Sequence, residues 1–158
     1  MANYAFIDGQ NLKKGFERLG WEPDWRRLRV HLKETYDVGE ALYFIGYMPE
    51  RRGLYGYLTT CGYRLVYKEV VYIDGRPKGN VDAELVLHSM IEYPNYVGAV
   101  IVAGDGDYAS LVRYLKEQGK LERVVSPHRF QASGPLTKAA AEKMDFLEDA
   151  RKKIERRN

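Results

Sequence analysis

One cysteine, three histidines and no apolar run longer than about nine residues limit the chain before any motif is read. With Cys61 alone, neither an internal disulfide nor a thiolate zinc cluster can form. His31, His88 and His128 are too scattered for an imidazole-rich metal site. Any metal would therefore be held by oxygen, which favours magnesium, manganese or calcium. The longest apolar stretch, residues 96–104, falls well short of the roughly 20 residues that cross a bilayer. The opening MANYAFID has no basic segment and reaches an aspartate at position 8, so it does not read as a signal peptide, and a cytoplasmic protein is the expectation. A large excess of one charge is also missing. The 25 basic and 22 acidic residues leave +3, which permits nucleic-acid binding without arguing for it.

What is present is ordinary globular composition, 45% hydrophobic and 30% charged, over 158 residues. That length suits one domain, expected over residues 1–147, followed by a basic helical tail over 148–158. Strand-like and helix-like segments alternate. Strands are predicted at 4–7, 41–45, 63–73, 98–103 and 121–125. Helices are predicted from Asn11 to Gly20, after the capping Asp24, after Pro49 to Thr60, from Val81 to Tyr93, over 108–118 and over 135–143. Asp74-Gly75 and Pro77 to Gly79 read as loop, and 144–157 could be strand or helix. Near-continuous apolar strands separated by helices predict an α/β fold, a mainly parallel sheet covered on both faces. The 13 tyrosines suit strands and also base stacking, and the tyrosine-rich run at 63–72 could be a sheet edge open to a second copy of the chain, hence a homodimer.

In open α/β sheets, ligands bind beyond the carboxyl ends of the strands. Three segments deliver carboxylates there: Asp8 after the first strand, Asp82 at the start of a helix, and Asp105 and Asp107 in Gly104-Asp-Gly-Asp after a buried strand. Each aspartate alone could serve as a turn or helix-capping residue. Together they imply a cation, because two carboxylates about 4 Å apart repel by about 4 kcal/mol at an effective dielectric of 20. Divalent ions held by aspartates suit phosphoryl chemistry by metal-activated water. Other readings of the same residues fail. Gly104-x-Gly106-x-x-Ala109 has the spacing of a dinucleotide-binding loop but puts aspartates where a pyrophosphate would lie. A calcium loop starting at Asp105 would have Ala109 and Lys116 at ligand positions. A phosphatase of the haloacid dehalogenase type needs an aspartate where Gln10 stands.

Three motifs, FIDGQNL at 6–12, KGNVDAELVLHSM at 78–90 and VAGDGDYASLVRYL at 102–115, together resemble the NYN domain, within the LabA-like group of PIN-like nucleases. The resemblance implies a Rossmann-like, three-layer PIN-like fold and a ribonuclease site dependent on Mg²⁺ or Mn²⁺. It implies Asp8, Asp82, Asp105 and Asp107 as the acidic metal-site residues and Asn11 as the polar helper beside Asp8. It further implies RNA as substrate, with 5′-phosphate and 3′-hydroxyl products; single-stranded RNA is the expected form. Lys78 and Lys13 are the expected phosphate contacts. His88 stands where many relatives have a further aspartate, and the late Leu136-x-x-Ala139-Ala140-Ala141 lacks the aspartate common in the family. A non-catalytic RNA-binding or regulatory module, and a nucleotide phosphohydrolase, are the competing readings of the same site.

Overall fold

The apolar run near the N-terminus forms β1 (Asn3–Asp8), in which Ala5, Phe6 and Ile7 are fully enclosed. A strand buried on both faces needs cover on both. The computed structural model, which describes residues 2–157, supplies that cover with helices on each side of one sheet. After β1 come α1 (Gly9–Leu19), α2 (Trp25–Tyr36), β2 (Val38–Tyr47), α3 (Arg52–Thr60) and β3 (Tyr63–Glu69). A hairpin of β4 (Val71–Ile73) and β5 (Arg76–Lys78) leads into α4 (Asp82–Ile91). The rest is β6 (Ala99–Val102), α5 (Ala109–Glu117), β7 (Leu121–Ser126), α6 (Gly134–Ala140), β8 (Met144–Phe146) and α7 (Arg151–Ile154).

The main sheet has six strands in the order β3-β2-β1-β6-β7-β8, and every neighbouring pair is parallel. Side-chain alternation sends successive residues to opposite layers. Phe6, Leu42, Phe44 and Ile101 pack with Leu85 of α4, Val112 and Leu115 of α5 and Leu136 of α6. Ala5, Ile7, Val100 and Val102 pack with Leu12 and Phe16 of α1 and Leu28 and Leu32 of α2. The result is the expected three-layer α/β architecture. Chain order runs outward from β1 to β2 and β3 on one side, and from β6 to β7 and β8 on the other. The sheet therefore has its switch point, where a crevice opens at the carboxyl ends, between β1 and β6.

Local sequence explains the boundaries. The carboxylate of Asp8 accepts from the Asn11 N–H at 3.0 Å and Asp24 accepts from the Arg27 N–H at 3.1 Å, so each caps a helix start. Gly20 ends α1 in the left-handed region at φ 80°.

Two segments differ from the sequence reading. The run at 63–73 is not one strand. Chain direction changes at Val70, whose methyl occupies the space a side chain would need at Gly46 and Gly79, and β4 pairs antiparallel with β5. Asp74 and Gly75 both have positive φ, 53° and 74°, as a two-residue hairpin turn of the mirror-image type requires. Residues 74–79, read as loop, thus include a strand. All six residues of the hairpin strands are exposed, while β3 forms the edge of the main sheet. At the other end, residues 144–157 begin as β8 and become helical at Leu147. The basic segment lies along α2, with Leu147 and Ile154 fully buried. The Asp24 N–H donates to the Ile154 carbonyl at 2.7 Å, and the Arg156 N–H to Glu22 at 2.8 Å.

Candidate metal centre

Each acidic residue reaches the crevice for a different local reason. Asp8 ends β1 and is held by the first turn of α1, which starts so tightly that a Cβ at Gly9 would meet the Tyr43 ring at 2.6 Å. Asp105 follows β6 and caps a short 3₁₀ turn, its carboxylate accepting from the Asp107 N–H at 2.9 Å. Asp82 opens α4, where the Asn80 side chain accepts its N–H at 2.8 Å. Oxygen atoms of Asp8, Asp82 and Asp105 converge within 4.8 Å of one another. Asp107 is exposed and lies against Asp82 rather than in the common centre.

Asn11 donates its backbone N–H to Asp8 and uses its side-chain oxygen elsewhere. Its side-chain oxygen accepts the Gly104 N–H at 2.8 Å, tying α1 to the turn that carries Asp105. Its backbone carbonyl accepts the Gln131 side chain at 2.7 Å. Gly104 is squeezed between these groups, since a Cβ there would come within 2.8 Å of the Gln131 carbonyl and the Ser126 hydroxyl. Ser133 completes the clamp, its N–H donating to the Gly104 carbonyl at 3.0 Å.

Tyr108 joins the cluster from below. Its ring is fully buried in the core, and its hydroxyl lies 2.9 Å from an oxygen of Asp8 and 2.9 Å from an oxygen of Asp82. A phenol has one proton and can donate to only one of them at a time. The second close oxygen pair therefore needs either a carboxyl proton or a nearby cation. The electrostatics agree. Burial is the main force raising the Asp8 carboxyl above its ordinary value, opposed by donors from Asn11 and Tyr108. Asp82 is pushed up to about 6, first by desolvation and then by Asp107, Asp105 and Asp8, against the Tyr108 hydroxyl. Burial and the same two carboxylates hold the Tyr108 phenol far above its usual range. An all-oxygen donor set with surplus negative charge and one shared proton fits a hard divalent cation, which Asp8, Asp82 and Asp105 would hold.

The remaining expected residues lie apart. Lys78 is exposed on β5, four residues before Asp82. Lys13 lines a groove with Phe16, Trp21 and Trp25, about 200° round α1 from Asn11. Neither joins the cluster's hydrogen bonds among the described residues. His88 packs its ring against Phe44 at 5.6 Å, and Leu136, Ala139 and Ala140 are core residues of α6.

The family model of the NYN domain matches residues 4–148. This chain belongs to the NYN domain family. The NYN domain is part of the PIN-like nuclease superfamily, and the three-aspartate cluster stands at the switch point of its sheet. The fold is also similar to the crystal structure of a protein of unknown function from Vibrio parahaemolyticus, with a TM-score of 0.76, 21% identity and 94% of each chain covered. Comparison with curated proteins finds no match. No helix among the described residues of this NYN domain is long and apolar enough to cross a membrane.

The bridging hydroxyl of Tyr108 was not read from the sequence. The available signal was that a buried tyrosine needs a partner for its O–H, and aspartates were its neighbours. Gln131 and Ser133 carried no signal, because a loop 27 residues beyond Gly104 has no periodicity to read.

Proposed function

We propose that this NYN domain is a divalent-metal-dependent endoribonuclease that hydrolyses phosphodiester bonds of single-stranded RNA, leaving a 5′-phosphate and a 3′-hydroxyl. The observation that carries the reading is the convergence of Asp8, Asp82 and Asp105 within 4.8 Å, with the Tyr108 hydroxyl 2.9 Å from both Asp8 and Asp82. Bound Mg²⁺ or Mn²⁺ supplies a water of lowered pKa and charge compensation at the phosphate. The three aspartates bind the ion. Asp107, exposed beside Asp82, orients the attacking water and accepts its proton. Asn11 is a positioning residue, fixing Asp105 through the Gly104 N–H. Tyr108 keeps Asp8 and Asp82 in register, its hydroxyl lying 2.9 Å from an oxygen of each and donating to one of them at a time. Lys78, projecting from the hairpin that leads into Asp82, contacts a backbone phosphate, and Lys13 serves phosphates further along the strand.

The test is cleavage of end-labelled single-stranded RNA with Mn²⁺, with chelator, and with Asp8→Asn beside the wild type. Cleavage that needs both the metal and Asp8 supports the assignment. Unchanged cleavage by Asp8→Asn sinks it. RNA retained without cleavage would favour the non-catalytic module, and hydrolysis of free nucleotides in preference to RNA would favour the phosphohydrolase.

A further inference from the structure

Phe130 is 91% exposed, the most exposed large apolar side chain among the described residues. Water contact of a full aromatic ring is unfavourable. The loop that carries the ring is tied down on both sides. Residues 128–131 form a tight turn in which the Gln131 N–H donates to the His128 carbonyl at 3.1 Å. The Ser126 hydroxyl donates to the same carbonyl at 3.1 Å. On one flank the Arg129 N–H donates to Glu148 at 2.7 Å, and its guanidinium forms a two-pronged pair with Asp149 at 2.9 and 2.8 Å. On the other flank Gln131 donates to Asn11, and the Ser133 N–H donates to Gly104. The His128 ring, itself buried, backs the Phe130 ring at 6.3 Å.

The anchors of this loop are the segments that carry the metal-site carboxylates. Asn11 is three residues from Asp8, and Gly104 is next to Asp105. The adjoining helix face is basic. Gly15 of α1 packs against Pro127 and Gln131, and exposed Lys14 and Arg18 lie within about 100° of it round the helix. Within 127–135, Phe130 is the lone exposed large apolar side chain, so the loop offers no contiguous apolar area for a protein partner. An outward ring on a loop tied to the segments that carry Asp8 and Asp105, next to a helix with exposed Lys14 and Arg18, matches the requirements of an unpaired base: a π-face to stack on, with phosphates reaching basic side chains.

We infer that Phe130 is a stacking platform for one unpaired base of the RNA, flanked by Lys14 and Arg18 as phosphate contacts, and that it sets which bond lies over the aspartate cluster. This rests on the nuclease reading and adds to it a substrate-positioning residue and a reason for preferring single strands. A paired base inside a duplex shows no free face to the ring.

The experiment compares wild type, Phe130→Ala and Phe130→Trp on single-stranded RNA oligonucleotides in which one abasic residue is stepped along the chain. Cleavage is followed in Mn²⁺ and binding by fluorescence anisotropy of labelled RNA. Phe130→Ala is expected to raise KM and Kd about tenfold, as the loss of one stacked base does, with kcat and melting temperature little changed. Phe130→Trp is expected to restore both constants. An abasic residue at one fixed distance from the cleaved bond should weaken wild-type binding and leave Phe130→Ala unaffected. Wild-type KM and Kd in Phe130→Ala, or the wild-type pattern of abasic sensitivity in that variant, overturns the inference while leaving the nuclease intact. If wild type binds RNA but cleaves none, a Kd raised in Phe130→Ala supports the platform and removes the enzyme. If wild type neither binds nor cleaves RNA, both readings fail.

Discussion

Asp82→Asn should make the metal-free protein more stable at neutral pH. The folded state holds Asp82 up to about 6, above its ordinary value of 3.8, because desolvation and three neighbouring carboxyls oppose its charge. For a carboxyl raised in this way, the native state keeps a proton that the unfolded chain has lost. Stability therefore falls as pH rises from about 4 to about 6, and stays low above that. At about 1.4 kcal/mol per pH unit, the displacement has a ceiling of about 3 kcal/mol. Asp82 is part-exposed, so solvent screening reduces this to about 1 kcal/mol, or roughly 2–4 °C in melting temperature for a domain of this size. An asparagine at 82 can still accept from Tyr108 and carries no charge. His31, held below its ordinary value first by burial and then by Lys153, contributes with the opposite sign, gaining stability as pH rises. Both proteins share that contribution, so it cancels in the comparison. The assay is thermal melting of wild type and Asp82→Asn in chelator between pH 4 and 7.5. The variant should melt about 2–4 °C higher at pH 7.5, with the gap closing toward pH 4. Millimolar Mn²⁺ should then stabilise wild type more than the variant, because the ion binds the folded cluster. A variant no more stable than wild type at pH 7.5 in chelator, or a gap independent of pH, refutes the description of Asp82 as a repelled carboxylate.

Tyr108→Phe keeps the buried ring and removes the shared proton. Loss of a hydrogen bond to charged groups should cost about 1.5–3 kcal/mol in urea unfolding without metal, with cleavage reduced at equal Mn²⁺. Asn11→Ala strands the Gly104 N–H in a part-buried position, and unfolding by denaturant should show a loss of about 1–3 kcal/mol together with a fall in kcat. Ile154→Ala opens a cavity between α2 and the C-terminal segment, and the melting curve should register a loss of about 2–5 kcal/mol with metal affinity unchanged.

Much of this molecule could be read from its amino acids, and the gaps have physical reasons. The alternation of apolar strands with helices predicted the parallel sheet because burial on both faces leaves a continuous apolar signature. Asp8 and Asp105 were visible because a β-strand followed by a helix must turn at the crevice, and Asp82 because it stands at a helix start, although the strand before it belongs to the hairpin and not to the main sheet. The break at Val70 was not visible, since the room for its side chain is left by Gly46 on the neighbouring strand and by Gly79 beyond the hairpin. The Asp74-Gly75 turn was in plain view, and the tyrosine and valine content of 63–73 outweighed it. Burial of Ile154 went unread because its cover, α2, lies over 100 residues earlier. The roles of Asn11 and Tyr108 depend on contacts across 93 and 100 residues, which no local pattern encodes.

The placement of β1 beside β6 also governs when the centre can come into being. As the chain is made, β1 emerges first and can pair with β2 soon after, but its other neighbour follows only after residue 98. Non-local parallel pairing of this kind is slow and is rewarded only late in folding. Until Asp105 and Tyr108 are in place, Asp8 stands alone at the end of a half-built sheet. The cluster cannot close before β6 and the turn after it are made, and a fragment ending before residue 105 lacks one of its three carboxylates. A nascent chain, still attached to the RNA that encodes it, carries no assembled site until Asp105 and Tyr108 have been made.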